Sequence, residues 1–257
     1  MIKFIRTFFW PLKINFLRYF IRRNNLWCVD DMIPFRNKYA GKRCFIIGTG
    51  PSLTIADLEV LSNEITFASN GIYKIFPETT WRPTFYSVCD KRYYENVGIE
   101  NMKDIHKLEK FYPWDLTDNH QLPNSHFFFR LMKFGRRLPR FSTRADKFLY
   151  EGSTVTYFML QLAAYMGFRE IYLLGIDFSY SISVDNNGCI IEDEKAKDYF
   201  TKEEDASKNP VLPNLQASLY SYLAANKYAN SHGFNIYNTT RGGKLEVFKR
   251  KIFEELF

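Results

Sequence analysis

Residues able to do chemistry follow apolar runs in this chain. Gly48-Thr49-Gly50-Pro51-Ser52 follows Phe45-Ile46-Ile47, Asn70 ends the run from Ile65, Asp90 follows Val88-Cys89, and Asp177 follows Leu173-Leu174-Gly175-Ile176. Glycines let backbone N–H groups approach a ligand, and a helix N-terminus attracts negative charge. Pro51 fits the first turn of a helix, so this stretch reads as a phosphate-binding corner. It is not a P-loop, because no Gly-Lys-Ser/Thr follows. It also lacks the third glycine of the dinucleotide fingerprint, where Leu53 stands. Asp90 and Asp177 could take a proton from a hydroxyl or hold a magnesium ion. Gly152-Ser153-Thr154 opens the clearest helical pattern, and its hydroxyls and free N–H groups would suit a phosphate. Quieter readings stand beside these. The glycine stretch could be a plain strand-to-helix turn, Asp90 could cap a helix from Lys91, Asp177 could bond its own turn, and Asn70 could turn with Gly71.

The elements that would position these groups alternate along the chain. Strands are expected at 42–47, 64–70, 83–90, 125–130, 170–177 and 234–240, and helices at 55–61, 155–166, 214–232 and 245–257. Residues 181–213, polar, acidic and punctuated by proline, read as a long loop or lid. In a parallel sheet these strands would deliver Gly48, Gly50, Asn70, Asp90 and Asp177 to one rim. The expected fold class is α/β, a Rossmann-like, mostly parallel sheet with helices on both faces, plus a basic, aromatic N-terminal helical arm.

The chain has 257 residues, 46% of them hydrophobic and 18% aromatic, with a net charge of +7. Residues 1–43 hold ten Lys/Arg against Asp30 and Asp31, so they carry +8 and the remainder is close to neutral. Residues 1–23 have six basic residues and no acid, with Phe4, Phe8, Phe9, Leu12, Phe16 and Phe20 at roughly helical spacing. That suits a helix lying in an anionic membrane surface, and the charges argue against a span. A basic loop, with Lys133, Arg136, Arg137, Arg140, Arg144 and Lys147, reads as a solvated segment or a flap over an anion. The four cysteines show neither metal-site spacing nor a disulfide framework. The expected domains are a basic amphipathic arm, 1–40, and a nucleotide-binding catalytic domain, 41–257. The expected location is cytoplasmic, peripheral on the inner face of the membrane. No nucleic-acid module accompanies the basic run.

Gly48-Thr49-Gly50-Pro51-Ser52-Leu53 resembles the opening motif of the bacterial family 42 sialyltransferases. It equally resembles that of the 6-hydroxymethylpterin diphosphokinase-like family of bacterial surface-polysaccharide proteins. The block from Gly152-Ser153-Thr154 to Gly175-Ile176-Asp177-Phe178 is similar to both, and Asn238-Thr239-Thr240-Arg241-Gly242-Gly243-Lys244-Leu245 to the second. The resemblance covers residues 40–250. It implies a nucleotide-sugar site at Gly48, Thr49, Gly50, Ser52, Asn70, Gly152, Ser153, Thr154 and Phe178. It implies catalytic roles for Asp177 and Asp90, with Tyr180 assisting the leaving phosphate through a one-residue shift. The sialyltransferases also use a histidine before the late helix; here 209–216 contains none, and His232 lies at that helix's far end.

Three functions follow as expectations. One is a glycosyltransferase taking a nucleotide-activated sugar, CMP-sugar favoured, to a glycan or glycolipid acceptor in surface-polysaccharide or lipooligosaccharide synthesis. The second is a pyrophosphokinase using Mg²⁺ on Asp90 and Asp177. The third is non-enzymatic, a nucleotide-binding or scaffold relic in a membrane-associated assembly. A homo-oligomer is left open.

Overall fold

The computed structural model describes residues 30–131, 138–195, 197–198 and 212–257. The arm at 1–23, Cys28, and Lys133, Arg136 and Arg137 of the basic loop lie outside the described residues.

The strand pattern is set by residues buried on both faces. In β1 (Arg43–Ile47), Cys44 and Ile46 enter one core while Phe45 and Ile47 enter the other. In β8 (Glu170–Leu174), Ile171 and Leu173 alternate with Tyr172 and Leu174 in the same way. Period-two alternation between two apolar layers is what a sheet covered on both sides requires. Each fully buried Ile or Phe contributes about 1.5–3 kcal/mol relative to exposure.

Between these strands run α1 (Ile55–Val60), β2 (Thr66–Ser69), β3 (Phe85–Ser87), α2 (Lys91–Val97), α3 (Lys103–His106), β4 (Glu109–Pro113) and β5 (Ser125–Phe128). Short β6 (Arg130–Leu131) and β7 (Leu149–Tyr150) pair apart from the main sheet, and α4 (Val155–Tyr165) leads into β8. After β8 come β9 (Ile182–Val184), β10 (Ile190–Glu192), α5 (Leu215–His232), β11 (Asn235–Asn238) and β12 (Lys249–Arg250). The main sheet has eight strands in the order β12-β11-β8-β1-β2-β3-β4-β5, and every pairing is parallel. One core holds α4 and α5, and the other α1 to α3. The expected Rossmann-like class holds.

Four local expectations are corrected. Pro51 does not open a helix: α1 starts at Ile55, where the expected span 55–61 put it, behind Thr54 and Asp57. The Asp57 N–H donates to Thr54 Oγ1 at 3.3 Å, and the Thr54 N–H donates to Asp57 Oδ2 at 3.0 Å. This reciprocal cap ends the preceding turn and fixes the helix start. Residues 245–257 do not form a helix. Lys249 and Arg250 extend the sheet beside Tyr237 and Asn238, and only Phe253–Leu256 make a single 3-10 turn. In the described part of 181–213 the chain forms a β9–β10 hairpin, turned at Asp185, whose Oδ1 accepts the N–H groups of Asn187 and Cys189; the rest of that expected loop, 196 and 199–211, lies outside the described residues. Residues 30–40, counted above with the arm, pack on the body: the Asp30–Phe35 turn buries Met32 and Phe35. Among the described residues no helix is long and apolar enough to cross a membrane. Cys44, Cys89 and Cys189 are free thiols.

Candidate active site at the sheet switch point

From β1 the strand order runs through β2 to β5 on one side and through β8, β11 and β12 on the other. The order reverses between β1 and β8, and in open parallel sheets a crevice forms outside the carboxyl ends of such strands. The loop after β1 holds Gly48 to Ser52, and the loop after β8 holds Gly175 to Tyr180. Asn70 follows β2, and Asp90 lies three residues beyond β3. Because α4 connects back to parallel β8, its start, with Gly152, Ser153 and Thr154, returns to the same edge. The topology therefore brings the predicted residues to one rim.

The two central loops interlock. Gly48 N–H donates to Leu174 O at 2.8 Å, and Gly50 N–H donates to Gly175 O at 2.9 Å. Ser52 Oγ donates to Asp177 Oδ2 at 2.8 Å, and the Ser52 backbone N–H also reaches the Asp177 carboxylate. A Cβ on Gly48 would sit 2.3 Å from Gly175 O, and one on Gly50 would sit 1.9 Å from Asp177 Oδ2. The glycines are thus needed for loop-to-loop contact. The expected cradle of free glycine N–H groups is corrected: those at Gly48, Gly50, Ser52 and Leu53 are taken by the protein itself. Pro51 has none, which leaves Thr49.

Asp177 is 7% exposed. Burial pushes its carboxyl above the ordinary value, and the hydrogen bonds from Ser52 oppose that rise without cancelling it. A buried carboxylate at a strand end, shifted toward neutrality, is the kind of group that serves as a general base. Its backbone is held from the other side. Lys244 N–H donates to Asp177 O at 2.7 Å, and Ile176 N–H donates to Thr240 Oγ1 at 3.1 Å. Thr240 and Lys244 fall in the C-terminal block that carried the resemblance, but their bracing of Asp177 is visible only in three dimensions.

The α4 start offers what the glycine loop does not. Thr154 caps the helix by accepting the Thr156 N–H at 3.3 Å. The N–H groups of Thr154 and Val155 have no partner among the described residues. The positive end of an eleven-residue helix and these donors suit a phosphate. Gly152 is packed tightly: a Cβ there would meet Tyr157 Cδ1 at 2.2 Å, and its carbonyl accepts from Ser221 Oγ. Tyr222 ties the site's two halves together. Its ring meets Phe178 edge-on at 5.8 Å, and burial pushes its hydroxyl pKa up while the side chains of Thr156 and Thr154 oppose that rise. Sequence reasoning missed Tyr222, because a buried tyrosine in an apolar helix gives no outward sign.

Asp90 caps α2, accepting the Tyr93 N–H at 3.1 Å, as the quieter reading had it. Asn70 has φ +47°, and its carbonyl accepts from Tyr86 OH at 2.8 Å. Tyr180 lies, partly buried, on the same loop as Asp177. Arg130, also missed, fixes the rim: Nη1 donates to Cys89 O at 3.0 Å, and the guanidinium grips Asp115 at 2.9–3.1 Å. Five non-glycine residues among those described have left-handed backbone, and three of them are Asn70, Ser153 and Phe178. Such conformations cost about 1–3 kcal/mol each and concentrate at binding sites.

No curated protein matches the chain. A solved structure of the MAf glycosyltransferase from Magnetospirillum magneticum AMB-1 is similar in fold, with TM-score 0.51 and 16% identity. The match covers 90% of this chain and 39% of that one. This chain therefore spans about two fifths of that protein's length. The sialyltransferase CstII from Campylobacter jejuni, solved with cytidine-5'-monophosphate, is 18% identical with TM-score 0.47, over 82% of this chain and 85% of that one. A family model described as 6-hydroxymethylpterin diphosphokinase MptE-like matches residues 22–183, well over half of the chain, and the protein belongs to that family.

Proposed function

We propose that the protein is a glycosyltransferase that takes a nucleotide-activated sugar, CMP-sugar favoured, to a glycan or glycolipid acceptor in surface-polysaccharide or lipooligosaccharide synthesis. The observation that carries this reading is the Ser52–Asp177 bond across the switch point, which sets a buried carboxylate beside the crevice. Asp177 would take the acceptor hydroxyl's proton as the sugar anomeric carbon leaves the nucleotide phosphate. The α4 N-terminus and the Thr49 N–H would stabilise the departing phosphate. Tyr180 would stand near that phosphate, and Asn70 and Phe178 would border the nucleotide. The fold is shared with a protein named a glycosyltransferase, and the motif resemblance to sialyltransferases favours cytidine. The arm would bring the enzyme to the anionic inner face of the membrane, where a lipid-linked acceptor resides.

A second reading has a specific support: the family's description names a diphosphokinase. Pyrophosphoryl transfer would need Mg²⁺ on Asp177 and Asp90, with phosphate oxygens and water completing the shell. Asp90 is engaged as a helix cap, and no three metal-binding side chains cluster among the described residues. On this reading Asp90 would have to hold the metal while one of its oxygens caps α2.

A thermal-shift panel of CMP, CDP, UDP, GDP and ATP, with and without Mg²⁺, separates the readings. At ten times its Kd a ligand stabilises by about 1.4 kcal/mol, or about 3–5 °C for a chain this size. Metal-free stabilisation by CMP supports the transferase. Stabilisation by ATP only with Mg²⁺ supports the kinase, and no shift at all supports a scaffold that does not bind nucleotide.

A further inference from the structure

Trp114 follows Pro113, the last residue of β4, so it lies at a strand's carboxyl end, on the same edge of the sheet as the crevice. It is 42% exposed, whereas Trp81 is buried. We propose that Trp114 is the platform of an acceptor subsite, on which one sugar ring of a neutral oligosaccharide stacks. Its place in the reaction rests on the glycosyltransferase reading; the affinity for sugar rests on the geometry around the indole.

The indole is fixed in place although it is open to solvent. Residues 114–120 loop back on themselves, so that His120 stacks on Trp114 with centroids 3.8 Å apart and planes 14° from parallel. The Nε2–H of His120 donates to Trp114 O at 2.8 Å, and Trp114 N–H donates to Phe128 O at 2.8 Å. Phe127 meets the indole edge-on at 6.0 Å, and Phe129 lies tilted against it at 5.4 Å. A ring already held by its neighbours loses little freedom when a ligand settles on it. The C–H face of a pyranose is apolar, and its slightly positive hydrogens lie well on the negative face of an aromatic ring. Hydroxyl partners stand at the border. The Asp115 side chain is 48% exposed, and His120 Nδ1 has no hydrogen-bond partner among the described residues. An aromatic surface with a few polar groups around it is what a small-molecule site requires.

One side chain connects the platform to the crevice. Arg130 grips Asp115, next to Trp114, at 2.9–3.1 Å, and donates to Cys89 O, beside Asp90, at 3.0 Å. It also stands 3.8 Å from the carboxylate of Glu151, the residue before Gly152. Along the sheet β4 is three strands from β1, about 14 Å. A single sugar at the Ser52–Asp177 pair does not span that distance. The occupant is therefore a chain of sugars, its reacting end at Asp177 and a later ring on Trp114. The exposed side chains from 115 to 119 are Asp115, Asp118 and Asn119. Two acids and an amide suit hydroxyl groups, and they disfavour a phosphorylated sugar or an anionic membrane at this spot.

The test is direct binding to the full chain, followed by ligand-observed NMR. The probes are chitotriose and maltotriose, with N-acetylglucosamine and glucose as their single units. The variants are Trp114→Ala and Trp114→Phe, the second keeping a ring. At least one trisaccharide is expected to bind, and more tightly than its single unit. Trp114→Ala is expected to weaken that binding by about tenfold, the loss of one aromatic contact. Trp114→Phe should weaken it less, and the thermal shift given by CMP should be the same in both variants as in the wild type. Should Trp114→Ala not fold, Trp114→Phe carries the test through its partial loss. Trisaccharide binding that depends on Trp114 without any CMP shift keeps the sugar platform and removes the transferase reading. A CMP shift with neither trisaccharide bound removes the platform alone. The proposal is also overturned if folded Trp114→Ala and Trp114→Phe bind as tightly as the wild type, or if their only loss is co-sedimentation with phosphatidylglycerol vesicles.

Discussion

Ser52 Oγ donates to Asp177 Oδ2 at 2.8 Å, joining residues 125 positions apart in the loops after β1 and β8. The bond crosses the point where the strand order reverses, so it both closes the loop pair and holds the candidate base. Burial raises the Asp177 carboxyl and Ser52 lowers it. Ser52→Ala should therefore move the Asp177 pKa further up. The acidic limb of the pH–rate profile for sugar transfer should shift to higher pH. A shift toward lower pH would contradict the assignment of Asp177 as base.

Asp177→Asn keeps the size and the Ser52 contact but cannot accept a proton. Transfer should fall by about 10²- to 10⁴-fold, while donor binding changes little. Steady-state rates and nucleotide titrations on the same preparation check this. Equal losses in both would mean that Asp177 is needed for the loop structure alone.

Gly50→Ala tests the close approach of the two loops. Its methyl group would fall 1.9 Å from Asp177 Oδ2, so one loop must move. A cost of about 1–3 kcal/mol is expected, read as a lower midpoint in chemical denaturation, together with loss of nucleotide binding. An unchanged midpoint would show that the loops are not packed as described.

Asp57 and Arg241 form the main polar tie behind the rim. The Arg241 fork donates to both Asp57 oxygens at 2.8 and 2.7 Å, and the Asp57 side chain is only 4% exposed. Burial pushes the Asp57 carboxyl up, but the hydrogen bonds from Arg241 and Thr54 together bring it below its ordinary value. With the folded pKa below the unfolded one, the unfolded chain binds more protons, so stability rises with pH in that window. The contribution is complete above the ordinary carboxylate range and is lost as pH falls through the folded pKa. Arg241→Ala should cost about 2–3 kcal/mol near neutrality, because a buried carboxylate is left without its cation. It should also flatten the acid limb of the stability curve. A parallel, unflattened curve would contradict the role given to Asp57.

Sequence reading reached the sheet because its central strands are unbroken apolar runs ending in glycine or acid. It also reached the start of α4 at Gly152-Ser153-Thr154 and Asp90 as an alternative cap, since both signals are local. The expected helix at 55–61 does begin at Ile55, where Thr54-Ile55-Ala56-Asp57 writes a capping box, and only the placing of Pro51 in its first turn fails. The β9–β10 hairpin was written in Asn187-Gly188, hidden within a polar stretch. What the sequence did not carry was the partner of each loop. The glycine N–H groups looked available because Leu174 and Gly175, whose carbonyls occupy them, lie more than a hundred residues away. Tyr222 and Lys244 were silent for the same reason.

The most direct test is a crystal structure of the full chain grown with CMP in metal-free buffer. The account predicts the nucleotide in the crevice between the loops at 48–52 and 175–180, its phosphate at the N-terminus of α4 beside Thr154. CMP bound elsewhere, or a crevice left empty at saturating CMP while ATP with Mg²⁺ fills it, would contradict the account.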